Sequence, residues 1–145
     1  MRLFVDANVI FFAAHNPQGN TRALFRLATT GGIMLVASRY AIEEATRNIS
    51  LKFPEFGLEL ESLLACLIVV PEPAATVVSV ATNSGLPEKD VPILAAAIAA
   101  RADLLVTGDR RHFGALYGQA VQGVLVLPPV DALRKTLDFL LADFP

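Results

Sequence analysis

The sequence predicts an α/β fold, with helices covering both faces of a central parallel sheet. Short apolar runs rich in Val, Ile and Leu alternate with stretches of helical periodicity along the whole chain. The length of 145 residues, 54% of them hydrophobic and 18% charged, suits one domain (residues 1–145) with a core of its own and excludes intrinsic disorder. No internal repeat, low-complexity tract or linker divides the chain.

The elements follow in order. Leu3 to Val5 is a strand ending at Asp6. Asn20 or Thr21 caps a helix with Ala23, Leu24, Leu27 and Ala28 on one face and Arg22 and Arg26 outside it, and Gly31-Gly32 stops that helix. Ile33 to Ala37 is a second buried strand, and Ser38 caps the helix that carries Glu43 and Glu44. Phe56, Leu60, Leu63 and Leu64 form the stripe of another amphipathic helix, which leads into a strand from Leu67 to Val70. Ala74 to Asn83 reads better as helix than as strand. Asp90 heads a helix with Pro92 in its first turn, apolar almost all round and therefore deep in the core. Leu104 to Thr107 and Val124 to Leu127 are strands. Asp131 caps the last helix, with Leu133, Leu137, Leu140 and Leu141 facing inward.

Composition bounds the function. The single cysteine, Cys66, excludes a disulfide framework and a zinc site built on cysteine pairs, and it suits a reducing compartment. A net charge of −2 argues against binding nucleic acid through bulk charge alone. The longest apolar run, Val91 to Ala100, is half of the ~20 residues that a membrane span needs. Asp6 and Asn8 interrupt the apolar stretch at the N-terminus, so it does not read as a signal peptide, and a cytoplasmic protein is expected. A mean hydropathy of +0.52 predicts that part of the apolar surface closes a homodimer.

The acids carry the functional reading. Asp6 ends the first strand, and Glu44 lies in the second turn of the helix after the second. Asp90 opens a helix, and Asp109 follows the strand Leu104 to Thr107. Right-handed crossovers put all strand carboxyl ends on one edge of the sheet, so the four should face the same edge. Taken singly, each acid is more simply a helix cap or a turn residue. Together they repel: two carboxylates ~5 Å apart cost roughly 3 kcal/mol at an effective dielectric of ~20. A converging quartet therefore needs protons, basic partners or a cation. Oxygen ligands suit a hard divalent ion, Mg²⁺ or Mn²⁺, which binds phosphate oxygens, activates water and stabilises charge on a leaving oxygen.

At this point the residues resemble a known family. The motifs are Val5-Asp6-Ala7-Asn8, Ser38 with Glu44 six residues on, Lys89-Asp90 entering the Ile93-Leu94-Ala95-Ala96-Ala97 helix, and Leu105-Val106-Thr107-Gly108-Asp109 ahead of His112-Phe113. In this order they resemble a PIN domain, from Arg2 to about Leu127, and are similar to VapC-type ribonuclease toxins and stand-alone PIN proteins. The resemblance implies a three-layer α/β/α sandwich. It also implies an Mg²⁺- or Mn²⁺-dependent endoribonuclease in which Asp6, Glu44, Asp90 and Asp109 are the catalytic and metal-binding residues. The products would carry 5′-phosphate and 3′-hydroxyl ends. A homodimer is implied, as is a small antitoxin whose tail enters the acidic groove. Many relatives carry another acid two residues after the position of Asp109; here it is Arg111, which thins the outer acidic shell. Glu43 and Glu44 stand about 100° apart on their helix, and spacing from Ser38 favours Glu44.

Other residues have paired readings. Asn8 orients water or holds Asp6, or else caps the first helix. The Thr107 hydroxyl fixes the Asp109 carboxylate, or is an ordinary strand residue. Asp103 reads as a turn residue and His15 as part of a polar loop. Arg110, Arg111 and His112 are phosphate clamps, or charges that offset Asp109; His112 is a poor general base. Phe113 and Tyr117 read as lid or core aromatics. The rival functions are a catalytically inactive PIN-like scaffold that binds RNA or protein, a phosphatase using Asp6 as nucleophile, and a nucleotide-binding module. Asn8 stands where the phosphatase would want a second Asp, and the nucleotide module would need a glycine-rich loop after the first strand, which is missing.

Overall fold

A computed structural model describes residues 1–142 of the chain; residues 143–145 lie outside the description. Its centre is a six-stranded sheet built from β1 (Arg2–Val5), β2 (Met34–Ser38), β3 (Ile68–Val70), β4 (Leu104–Val106), β5 (Ala120–Val121) and β6 (Val124–Leu127). Their order is β3-β2-β1-β4-β6-β5. All pairings are parallel except the β5–β6 hairpin. That hairpin turns at Gln122 and Gly123, both at positive φ (50° and 85°), as a two-residue type I′ connection requires. It is an antiparallel addition to the expected parallel sheet.

The helices are α1 (Ala7–His15), α2 (Asn20–Ala28), α3 (Arg39–Lys52), α4 (Gly57–Leu64), α5 (Ala75–Thr82), α6 (Val91–Ala99), α7 (Arg110–Phe113) and α8 (Pro129–Leu141). Helix α1 packs on α2, α3 and α4, and α2 packs on α8, while α5 pairs with α6. With right-handed crossovers, the first group covers one face of the sheet and α5 with α6 covers the other, giving the α/β/α layering. Strands β1 and β4 are buried along nearly their whole length, so the core runs through the middle of the sheet.

Chain order reverses at β1. The chain first steps outward from β1 to β2 and β3, then returns across the sheet to β4 on the other side of β1. In an open α/β sheet, this reversal opens a crevice outside the strand carboxyl ends. Asp6 and Asp109 follow the two strands that flank it.

Several expectations need correction. Helix α1, for which the sequence offered only Asn8 as a cap and no range, begins directly after β1, with Asp6 as its N-cap instead. Val9, Ile10, Ala13 and Ala14 are buried and the less buried positions hold Phe11 and Phe12, so its pattern lacks the polar face that would have marked it. His15 ends this helix rather than sitting in a loop, and its ring stacks on Phe53 at 4.3 Å. The N-cap of α2 is Gly19, not Asn20 or Thr21, and Phe25 is buried on its inner face beside Leu24. Arg22 holds α2 to the end of α1 by donating to the carbonyls of Ala13 and Ala14. The N-cap of α8 is Pro128, and Asp131 stands in the first turn instead. Its inner face is made by Ala132 and Thr136, with Leu133 and Leu140 packed against the core as expected, while Leu137 and Leu141 are exposed.

Candidate active site

Asp6 is nearly buried and serves two structures at once. Its Oδ1 accepts the Ala7 backbone N–H at 2.7 Å, which starts α1. Its Oδ2 accepts the Thr107 hydroxyl at 2.7 Å and the Asn8 amide at 3.1 Å. Asn8 therefore holds Asp6 and does not cap the helix. The side-chain oxygen Oδ1 of Asn8 in turn accepts the Gly108 N–H at 2.7 Å. A Cβ at Gly108 would stand 3.3 Å from that oxygen, so glycine permits the close approach. The Thr107 hydroxyl fixes the Asp6 carboxylate, not that of Asp109 as expected; towards Asp109 it accepts only the backbone N–H, at 3.2 Å. Tyr117 secures the same strand end by donating its hydroxyl to the Thr107 carbonyl at 2.7 Å.

Asp109 caps the short helix α7 through the His112 N–H. That turn swings the His112 ring back, and its Nδ1 stands 2.9 Å from Oδ2 of both Asp90 and Asp109. These are close charge contacts rather than well-aligned hydrogen bonds. Asp90 closes a 3₁₀ turn (Glu88–Asp90) at the start of α6, and its side chain caps nothing. The Tyr40 hydroxyl steadies that turn through the Lys89 carbonyl at 2.9 Å.

All four predicted acids line one cleft of about 320 Å³, together with Ala7, Asn8, Phe11, Phe12, Asn48, Lys52, Lys89 and Gly108. Glu44 lines it, whereas Glu43 is exposed and does not. Four carboxylates face two lysine ammonium groups. Burial pushes the Asp6 carboxyl up to about 6; the Thr107 and Ala7 hydrogen bonds oppose this, and the charges on Glu44 and Asp90 add to it. Burial also raises Asp90, against the pull of His112 and Lys89, while Asp109 adds repulsion. Arg110 and Arg111 are exposed and make no ion pair among the described residues, so His112 is the residue of that run that meets the acids. Phe113 is fully buried in the core, and Asp103 lies at the other end of the sheet, where it accepts the Arg2 N–H.

Sequence reasoning missed Phe11, Phe12, Asn48 and Lys52 in the cleft wall. The signal existed for two of them, since Glu44, Asn48 and Lys52 recur every four residues on α3 and share one face. The phenylalanines were hidden with α1.

The donor set tests what such a site can hold. Asp90, Asp109 and His112 each bring a ligand atom within 4.8 Å of the others, whereas Asp6 and Glu44 line the same cleft outside that group, and burial and neighbouring charge both drive Asp6 towards protonation. A divalent cation would offset the repulsion among these carboxylates, and hard carboxylate oxygens with one imidazole fit one.

An open, mostly parallel α/β sheet with an acidic cleft at its reversal point defines the class: a fold whose chemistry sits at the strand carboxyl ends. Residues 2–111 match the family model of the PIN domain, and the chain belongs to that family. PIN domains are generally nucleases that need a divalent metal. No curated protein matches the chain. Among solved structures, VapBC2 from Rickettsia felis bound to a DNA fragment from its promoter aligns with a TM-score of 0.66 at 16% identity, over 88% of this chain and 98% of that one. FitAB bound to an IR36 DNA fragment aligns with a TM-score of 0.53 at 21% identity, over 88% and 94%. FitAcB from Neisseria gonorrhoeae gives 0.56 at 18% identity, over 88% and 98%. These likenesses describe the fold. No helix among the described residues is long and apolar enough to cross a membrane.

Proposed function

We propose that the protein is a cytoplasmic, single-domain endoribonuclease that hydrolyses RNA phosphodiesters with Mg²⁺ or Mn²⁺ held by Asp6, Glu44, Asp90 and Asp109. One observation carries this reading: acids from four separate segments line a single cleft, without enough cationic partners to balance them. A bound divalent cation supplies Lewis-acid chemistry, activating water and neutralising charge on the phosphate. The chain's own residues prepare the place. Thr107, Asn8 and the Ala7 N–H fix the orientation of Asp6, and the His112 N–H fixes that of Asp109. Hydrolysis forms a bond from the water oxygen to phosphorus and breaks the bond to the 3′ oxygen, which takes the proton. The fragments then end in 5′-phosphate and 3′-hydroxyl.

The likeness to VapBC2 and FitAB supports a toxin of a toxin–antitoxin pair, whose small protein partner would place a cationic side chain at the acidic end of the cleft. The exposed Leu51, Leu58, Ile68 and Val69 supply apolar surface for a homodimer.

The test is incubation of the purified protein with single-stranded RNA in Mg²⁺, in Mn²⁺ and in EDTA, beside Asp90→Asn. Cleavage that needs metal and is lost in the variant is expected. Binding without cleavage would make the protein a scaffold, and phosphate release from a small monoester would make it a phosphatase.

A further inference from the structure

The cleft continues past its acids, and two helices build the far end. On α3, Glu44, Asn48 and Lys52 form one line from carboxylate through amide to ammonium. On α1, Phe11 and Phe12 form the facing wall. The two rings are engaged differently. Phe11 is enclosed by His15 at 4.5 Å, Phe12 at 5.5 Å and Phe53 at 5.8 Å, with the Lys52 ammonium 5.6 Å from its centre. Phe12 is 45% exposed and meets Phe11 at 69° and His15 at 42°, so neither ring stacks on it.

An exposed aromatic facing an amide and a cation across one cleft suits a nucleotide, which offers a π-face, polar base edges and a phosphate. We propose that Phe12, Asn48 and Lys52 form a nucleotide subsite for single-stranded RNA, an assignment that rests on the nuclease reading. The base next to the cleaved phosphate stacks on Phe12, Asn48 meets its polar edge, and Lys52 binds the following phosphate. Charge placement favours this occupant: the protein is acidic overall, and Lys52 puts a cation at the end of the cleft away from the Asp90–Asp109–His112 cluster. A base can reach Phe12 only when it is unstacked, so the subsite selects single strands over duplexes.

The experiment measures binding of a labelled 12-nucleotide RNA, by anisotropy in Ca²⁺, to wild type, Phe12→Ala, Phe12→Trp and Lys52→Gln. Companion RNAs carry one abasic position moved along the strand. Phe12→Ala should weaken intact RNA about tenfold, within the range of base–aromatic stacking. One abasic position should cost wild type the same factor and cost Phe12→Ala nothing more. Phe12→Trp should keep wild-type affinity, and Lys52→Gln should flatten the dependence of log K on log salt by about 0.7. Equal binding by wild type and Phe12→Ala would overturn the subsite. So would a loss that Phe12→Trp shares, a loss of the same size on every abasic RNA, or no RNA binding at all. Coupling between Phe12 and one base, with no cleavage in Mg²⁺ or Mn²⁺, would sink the nuclease reading and leave the subsite standing. Cleavage without the coupling would do the reverse.

Discussion

The two ends of the sheet carry cavities of opposite character. At the amino end, a cavity of about 470 Å³ is lined by Met1, Arg2, Gly31, Gly32, Ile33, Met34, Arg101 and Asp103. Its one acid, Asp103, is exposed and accepts the Arg2 N–H at 2.7 Å, and two arginines share the cavity with it. At the carboxyl end, a smaller cleft of about 320 Å³ gathers four acids around a nearly buried Asp6. Size favours the first and chemistry the second. A charge that is exposed and locally paired contributes structure, whereas buried like charges that stay together have to be stabilised by something else.

The contrast can be broken first at Asp90. Asp90→Asn should lower RNA cleavage by more than about 100-fold, because even partners behind a metal ligand are worth 10–100-fold; Asp103→Asn should leave the rate within twofold. Comparable losses in both would erase the distinction between the ends. Single-turnover cleavage assays measure it.

Thr107→Val removes the donor to Asp6 and the acceptor for the Asp109 N–H while keeping side-chain shape. Mn²⁺ affinity, followed by calorimetry, should fall roughly 10–100-fold. An unchanged affinity would show that Asp6 needs no help in pointing.

Stability against pH sharpens the comparison in another way. The Asp6 carboxyl is raised to about 6 from 3.8, so between these values the folded chain holds a proton that the unfolded chain has lost. Metal-free stability should therefore fall as pH rises from about 4 to about 6 and stay low above that, by on the order of 3 kcal/mol. Asp6→Asn should flatten that part of the profile, and Mn²⁺ at about 100 times its Kd should restore about 2.7 kcal/mol above pH 6. Urea unfolding across pH, with and without Mn²⁺, reads all three effects. A wild-type profile that rises from pH 4 to 6 because of Asp6 would contradict the burial argument.

Glu43→Gln should do least. The side chain is exposed and does not line the cleft, so stability should move by less than ~0.5 kcal/mol and cleavage should be unaltered. Glu44→Gln, one residue on, should cost activity.

The parts legible in sequence were those whose signals are local. Ser38 caps α3 through the Ala41 N–H as expected, and that cap fixes the phase of the helix that aims Glu44. The run Leu104 to Thr107 is buried because strands pack on both of its sides. The illegible parts depend on partners far along the chain. Nothing within ten residues of Thr107 reveals that its hydroxyl reaches Asp6, 101 positions away. The role of His112 arises only when α7 turns its ring onto Asp90, which belongs to another segment. Helix α1 escaped notice because its less buried positions hold Phe11 and Phe12, so no polar face betrays its period.

Crystals grown with Mn²⁺ would decide the matter by anomalous scattering. A peak is expected in the cleft within about 2.3 Å of carboxylate oxygens from Asp6 and Asp90, and it should be lost in Asp90→Asn. A saturated crystal with no density there, or with manganese held only by acids outside the cleft, would contradict it.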